Sequence, residues 1–180
     1  NGMITYAWTG PNGYTGNTQN PIVSANATLL MAGNYNLTVT DINGCTAAAS
    51  TNVVVNAVPV ATAGSNSPVC AGTSLNLTGG PALMTTYAWT GPNGYTGNTQ
   101  NPIVSANATA LMAGTYSLTV TDGTGCTSIA ATTNVTVNPL PVATITPSGP
   151  TTFCENGSVT LTSSSGTSYL WSNGATTSSI

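Results

Sequence analysis

An all-β fold built from sandwich units in series is what this sequence predicts, and three observations predict it. The composition is dominated by Thr, Ser, Asn, Ala and Val, with 20 Gly and 11 Pro among 180 residues. Such a mixture suits strands joined by tight turns. Apolar residues alternate with polar ones over short runs, and no segment sustains the 3.6-residue period of a helix. Finally, a long stretch returns unchanged: TYAWTGPNGYTGNTQNPIVSANAT occupies Thr5–Thr28 and again Thr86–Thr109. Self-similarity of that kind marks a repeat architecture.

The repeat extends beyond the identical stretch. LMAGNYNLTVTDINGCT (Leu30–Thr46) aligns with LMAGTYSLTVTDGTGCT (Leu111–Thr127), and Val58–Thr62 aligns with Leu140–Thr144. A third, diverged copy then begins, in which Cys154, Ser158–Thr162 and Tyr169-Leu170-Trp171 match Cys70, Ser74–Thr78 and Tyr87-Ala88-Trp89. The chain therefore divides into the C-terminal part of one repeat (1–58), one complete repeat (59–140) and the N-terminal part of a third (141–180). The opening Asn1-Gly2-Met3 and the stop at Ile180 read as the ends of an excerpt. A period of 81 residues is too long for a helical solenoid unit and suits a small sandwich with its own core. Pro59, Pro139 and Pro141 mark stiff, extended links, so the units are expected head to tail.

Within the complete repeat the strands follow in order. Val60–Ala63 enters from the linker. Ser74–Thr78 turns Leu75 and Leu77 to one side. Thr86–Thr90 places Tyr87 and Trp89 on one face, and Gly91-Pro92-Asn93-Gly94 then turns the chain, with Pro presetting φ and Gly accepting positive φ. Ile103–Ala106 is short. Thr115–Thr121 alternates Tyr116, Leu118 and Val120 against Ser117, Thr119 and Thr121. Asp122–Gly125 closes a hairpin into a last strand, Cys126–Val137. A Trp on the third strand and a Tyr opening the penultimate one are immunoglobulin-like features, the Tyr being placed for a tyrosine corner. Tandem immunoglobulin-like β-sandwiches are thus expected, with Trp8, Tyr35, Trp89, Tyr116 and Trp171 as core residues.

The runs AGTYSLTVTDGTGCTS and SPVCAGTSLNLTG resemble the immunoglobulin-like and PKD-like repeats of very large cell-surface adhesins from Bacteroidota, including the gliding-motility type. That resemblance covers essentially the whole chain. It implies export by the type IX route, display on the bacterial cell surface, and a role in attachment, gliding or cell–cell contact.

Charge excludes several functions. There is no Lys, Arg or His against three acids, for a net charge of −3, where soluble domains carry about a quarter charged residues. Without cations the chain cannot neutralise phosphates, so nucleic acid is not an expected partner. Anionic membrane surfaces are excluded for the same reason, and no apolar run reaches the ~20 residues that direct insertion needs. Trypsin-like proteases find no cleavage site.

Cys70 and Cys154 precede the second strand of their repeats, whereas Cys45 and Cys126 follow the hairpin. With no His and no C-x-x-C spacing they are poor zinc ligands, and no base is present to activate a nucleophile. Disulfides in an oxidising compartment are the expectation. Two pairings stand open: Cys70 with Cys126 inside one repeat, or Cys70 with the hairpin Cys of the following repeat.

No catalytic, metal or cofactor site is expected. Asp41 and Asp122 are equivalent positions in different repeats and Glu155 lies in the third, so the acids do not form a pair for acid–base work. Ca²⁺ wants six to eight oxygens, and one Asp in a hairpin is a turn residue. Tyr14 and Tyr95, beside Asn, Thr and Gln in Gly10–Gln19 and Gly91–Gln100, are weak candidates for contact with surface glycans. Asn26, Asn36, Asn76, Asn107, Asn134 and Asn156 head N-x-Ser/Thr sequons, which matter only in a host with that machinery. The function expected is structural, as a stalk or filament repeat whose partners are the neighbouring repeats. The alternatives are a carbohydrate-binding module and a fibre of many copies.

Overall fold

A computed structural model describes residues 3–180, with side chains from Thr5 onward. Strands β1 (Met3–Thr9), β2 (Thr15–Gly16), β3 (Gly33–Asp41) and β4 (Thr46–Val53) form one antiparallel sheet in the order β2-β1-β3-β4. Nine strands follow between residues 62 and 138: β5 (Thr62–Ser65), β6 (Val69–Cys70), β7 (Leu75–Gly80), β8 (Thr86–Thr90), β9 (Thr96–Gly97), β10 (Ile103–Ser105), β11 (Gly114–Thr121), β12 (Ala131–Val135) and β13 (Val137–Asn138). They make a three-stranded sheet, β10-β7-β5, and a four-stranded sheet, β12-β11-β8-β9, while β6 and β13 pair in parallel. Strands β14 (Ile145–Pro147) and β15 (Leu161–Ser163) pair antiparallel in the last stretch.

Between the two larger sheets of residues 62–138 lies one core. Strand β7 contributes Leu75 and Leu77, β8 contributes Trp89, and β11 contributes Tyr116, Leu118 and Val120; each is at most 1% exposed. The period-two alternation of β11 causes this division, since Ser117, Thr119 and Thr121 point to the other face. Trp89 satisfies its indole N–H on the carbonyl of Thr99 at 3.2 Å. Tyr116 sends its hydroxyl back to the carbonyl of Met112 at 3.0 Å, closing the turn that precedes its own strand. That bond is a tyrosine corner. Gly91 lies flat on the Tyr116 ring, where any Cβ would overlap the ring carbons. Sheet order, buried Trp, tyrosine corner and parallel closing pair together make this unit an immunoglobulin-like sandwich.

The identical stretch near the N-terminus repeats the local geometry closely. Asn12 and Asn93 both sit at φ 54°, ψ 32°. Trp8 donates to the carbonyl of Thr18 and Tyr35 to that of Met31, both at 3.0 Å. Burial differs all the same. Trp8 is half-buried where Trp89 is 1% exposed. Among the described residues a facing sheet, β10-β7-β5, is laid over Trp89, and the half-repeat that holds Trp8 does not include its counterpart, so local sequence fixes conformation while the facing sheet supplies burial. Trp171 is half-buried as well, its indole donating to Thr177 at 2.8 Å beside a cleft of about 250 Å³.

Two strand expectations need correction. The first strand runs Thr62–Ser65 rather than Val60–Ala63, because its ladder starts only where Thr62 meets Gly80, and Val60 stands 76% exposed before it. The last strand is not continuous from Cys126 to Val137. Thr127 bridges Thr121 and Val135 pairs with Gly114, as Thr46 pairs with Thr40 and Val53 with Gly33 in the first copy. Between those anchors the second copy reads TSIAATTNV and the first TAAASTNV, one residue fewer. The extra residue has to bulge. Ser128 turns inward, where its N–H donates to the carbonyl of Val120 at 2.9 Å and its hydroxyl accepts the Val120 N–H at 3.0 Å. Ile129 is expelled to 84% exposure.

Trp89→Ala is expected to destabilise the central sandwich by about 3–5 kcal/mol, with a clearly smaller effect for Trp8→Ala. Tyr116→Phe should cost about 0.5–1.5 kcal/mol through its lost hydrogen bond. Urea titration followed by near-ultraviolet circular dichroism measures all three.

Candidate functional site

Two recurring features carry the polar and aromatic groups that chemistry could use: the GPNGYTGNTQ loop and the Asp hairpin. In the loop, Pro92 and the left-handed Asn93 bend the chain so that the Tyr95 N–H reaches the carbonyl of Pro92 at 3.1 Å and the Gly91 N–H that of Tyr95 at 3.0 Å. The bend turns Tyr95 inward, edge-on to Tyr116 with ring centres 5.5 Å apart and planes at 67°. Tyr14 meets Tyr35 in the same way, at 5.5 Å and 63°. Desolvation raises the pKa of Tyr95 above the usual phenol value; that of Tyr116 is raised by desolvation and then by the neighbouring Tyr95. Both candidate glycan-contact tyrosines therefore lean on a core tyrosine.

The amides of this loop are also occupied in the complete copy. Gln100 donates its side-chain N–H to the carbonyl of Gly79 at 2.8 Å, and Asn101 accepts the Gly79 N–H at 3.0 Å. These two residues tie the long loop to the end of β7 in the facing sheet. Sequence analysis named the Gln of this loop only as a neighbour of Tyr95 and did not foresee the tie, to which the Leu77 N–H adds by donating to the carbonyl of Pro102 at 3.0 Å.

In the hairpins the carboxylate organises backbone. One oxygen of Asp41 accepts the N–H groups of Asn43 and Cys45, both at 2.8 Å. Asp122 accepts the Thr124 N–H at 2.8 Å, the Thr124 hydroxyl at 2.7 Å and the Cys126 N–H at 3.0 Å. These donors hold both carboxyls below the ordinary range: the Cys45 N–H contributes most at Asp41, the Thr124 hydroxyl most at Asp122. A carboxylate engaged this way is a turn anchor. Among the described residues, no three His, Cys, Asp or Glu side chains gather into a metal-binding group.

All four cysteines are free thiols, with Cys45, Cys70 and Cys154 exposed and Cys126 half-buried, so the within-repeat pair Cys70–Cys126 is not formed; the other pairing calls for a hairpin Cys of the following repeat, which the residues up to Ile180 do not include. For the within-repeat pair the reason is plain. Cys70 lies opposite Asn138 on the parallel β6–β13 pair, while Cys126 sits next to Thr127 at the other end of the last strand. Strands β12 and β13 run between those ends; even the five residues of β12 alone span roughly 15 Å, against the ~7 Å limit for bridged Cα atoms. Backbone joins the beginning and end of the unit instead: Val69 donates to Thr136 at 3.1 Å, Ala71 to Asn138 at 2.8 Å, and the Thr136 N–H to the Ser67 hydroxyl at 2.8 Å. Sequence analysis missed this parallel pair, because two-residue strands carry no periodicity.

No family model matches the chain, and no curated protein matches it. Among solved structures it is similar to the amphioxus IgVJ-C2 molecule, at 17% identity and a TM-score of 0.37 over 73% of this chain and 88% of that one. Murine CEACAM1b gives 13% and 0.38 over 74% and 85%. The N-terminal four Ig domains of Dscam1 isoform 4.44 give 18% and 0.33, with 74% of this chain covering 37% of that molecule. The fold assignment rests on strand order and the buried Trp and Tyr, independently of these likenesses.

Because both hairpin aspartates titrate below their unfolded value of ~3.9, the stability they lend is present above that pH and lost as pH falls through the lowered folded value. Acidification should lower the protection of the Thr124 and Cys126 amides, measured as exchange relative to the intrinsic rate at the same pH. Asp122→Asn should remove that pH dependence there and leave the Asp41 hairpin unchanged. Separately, Tyr95→Ala should cost at least the about 0.5–1.5 kcal/mol of an edge-to-face pair, read by urea titration.

Proposed function

We propose that this chain is a structural stretch of an extracellular or cell-surface adhesion protein, in which immunoglobulin-like units in series provide reach and mechanical strength and perform no catalysis. One observation carries the reading: an 81-residue unit is repeated with its turns, Trp bond and tyrosine corner reproduced. Duplication of a scaffold without diversification of its loops favours length over recognition. Residues 54–61 and 139–144, around Pro59 and Pro141, belong to no strand, which fits links between beads. The polar loop residues are engaged in holding the sandwich together. No helix of the described residues is long and apolar enough to cross a membrane. The resemblance to Bacteroidota surface repeats supplies the finer reading: export by type IX secretion, display on a bacterial surface, and neighbouring repeats as the principal partners.

Mechanical unfolding tests the proposal. Pulled from its ends, a polypeptide of several such units should give a regular series of force peaks, each releasing about 28 nm of chain for one 81-residue unit at up to ~3.5 Å per residue. A single irregular release would overturn it, as would failure of an antibody against the central unit to label intact cells of the source.

A further inference from the structure

Beyond Asn1-Gly2, which lies outside the described residues, the chain has five Asn-Gly pairs, headed by Asn12, Asn43, Asn93, Asn156 and Asn173. Asparagine is a chemically labile residue, and a following glycine sets no side chain in the way of the reaction. The glycine nitrogen, giving its proton to water or hydroxide, attacks the asparagine Cγ. The Cγ–Nδ2 bond breaks, the amide leaves as ammonia after taking a proton from solvent, and a five-membered succinimide remains. Water then opens the ring at either carbonyl, giving aspartate or isoaspartate. All five asparagines are exposed, so access to water does not choose among them. The state of the glycine N–H does. Gly44 donates to the carbonyl of Asp41 at 3.1 Å, Gly157 to that of Cys154 at 2.9 Å and Gly174 to that of Trp171 at 2.9 Å. Each of those bonds must open before its nitrogen can attack. Gly13 and Gly94 donate no hydrogen bond among the described residues; their turns are closed one residue later, by Tyr14 on Pro11 and Tyr95 on Pro92, both at 3.1 Å.

We propose that Asn93-Gly94 and its copy Asn12-Gly13 are the deamidation sites of this chain, converting to aspartate and isoaspartate ahead of the other three pairs. The geometry is local. It is held by bonds within Gly91–Tyr95 and is the same in the first copy, Gly10–Tyr14, although the two sheets are covered differently. Each conversion puts a negative charge on a chain that has three acids and no Lys, Arg or His to balance it. Isoaspartate also routes the main chain through Cβ, which adds one carbon to the loop closed by the Tyr95 N–H on Pro92. Tyr95 is the residue that this loop sets against Tyr116, with ring centres 5.5 Å apart, so the modification acts directly on a contact of the core. Each copy thus carries a turn that ages at the place where its long loop is fastened. This inference does not rest on the adhesive reading, which could fail while the chemistry proceeds.

Peptide mapping of the whole folded chain, sampled over time in warm, mildly alkaline buffer, tests it. Trypsin has no site, but chymotryptic cuts after Trp8, Tyr14, Trp89 and Tyr95 free the same peptide, TGPNGY, from both copies. Its isoaspartate is read by electron-transfer fragmentation. This peptide should convert at least about threefold faster than those carrying Asn43, Asn156 and Asn173, the factor that one hydrogen bond supplies. In concentrated urea, where every glycine N–H is released, the five sites should react at similar rates. Asn93→Gly removes the reacting amide, suits the left-handed backbone and should halve the TGPNGY signal. No lead for TGPNGY in the folded chain, a lead that persists unchanged in urea, or a signal that Asn93→Gly leaves intact would overturn the proposal.

Discussion

Everything in the sandwich depends on Trp89 and Tyr116 being closed between two sheets. Neither sheet has an independent reason to persist, since three or four short strands expose one apolar face and bury it only against a partner layer. The first copy makes the dependence visible. Its Trp8 has the same neighbours in sequence and the same indole hydrogen bond, yet is only half-buried without a facing β7. Burial of aromatic surface at roughly 25 cal/mol per Å² is thus a property of the pair of sheets, which the tyrosine corner and the Gln100–Gly79–Asn101 tie then hold in register.

Much of this fold was legible in the sequence because period-two alternation is a direct consequence of strand geometry. Tyr116, Leu118 and Val120 announce one buried face, and Trp89 another. The tyrosine corner was also legible, since its hydroxyl reaches only four residues upstream. What escaped notice was non-local or set by a count. The parallel β6–β13 pair unites residues nearly seventy positions apart with no pattern in either strand. The bulge at Ser128 follows from one extra residue between fixed anchors, which appears only when the two copies are aligned through the hairpin and beyond.

The candidate site was less legible, for a chemical reason. Tyr95, Gln100 and Asp122 are residue types that bind ligands as readily as they brace turns, and only coordinates show which partner each has found. Here Tyr95 faces Tyr116, Gln100 faces Gly79, and Asp122 faces its own hairpin. Of the two cysteine pairings left open, the one inside a repeat is set aside by position, because β12 and β13 separate Cys70 from Cys126.

Two copies that share an identical Trp strand also raise a problem of assembly. Strand β1 meets β3 with Trp8 opposite Leu37, and β8 meets β11 with Trp89 opposite Leu118; the registers are the same, so each Trp strand fits the other's berth. Fidelity then comes from the order of synthesis, because β1 and β3 are complete and can zip together before β8 has left the ribosome. Refolding of the finished polypeptide has no such clock, and strand exchange between neighbours is the error that sequence identity invites.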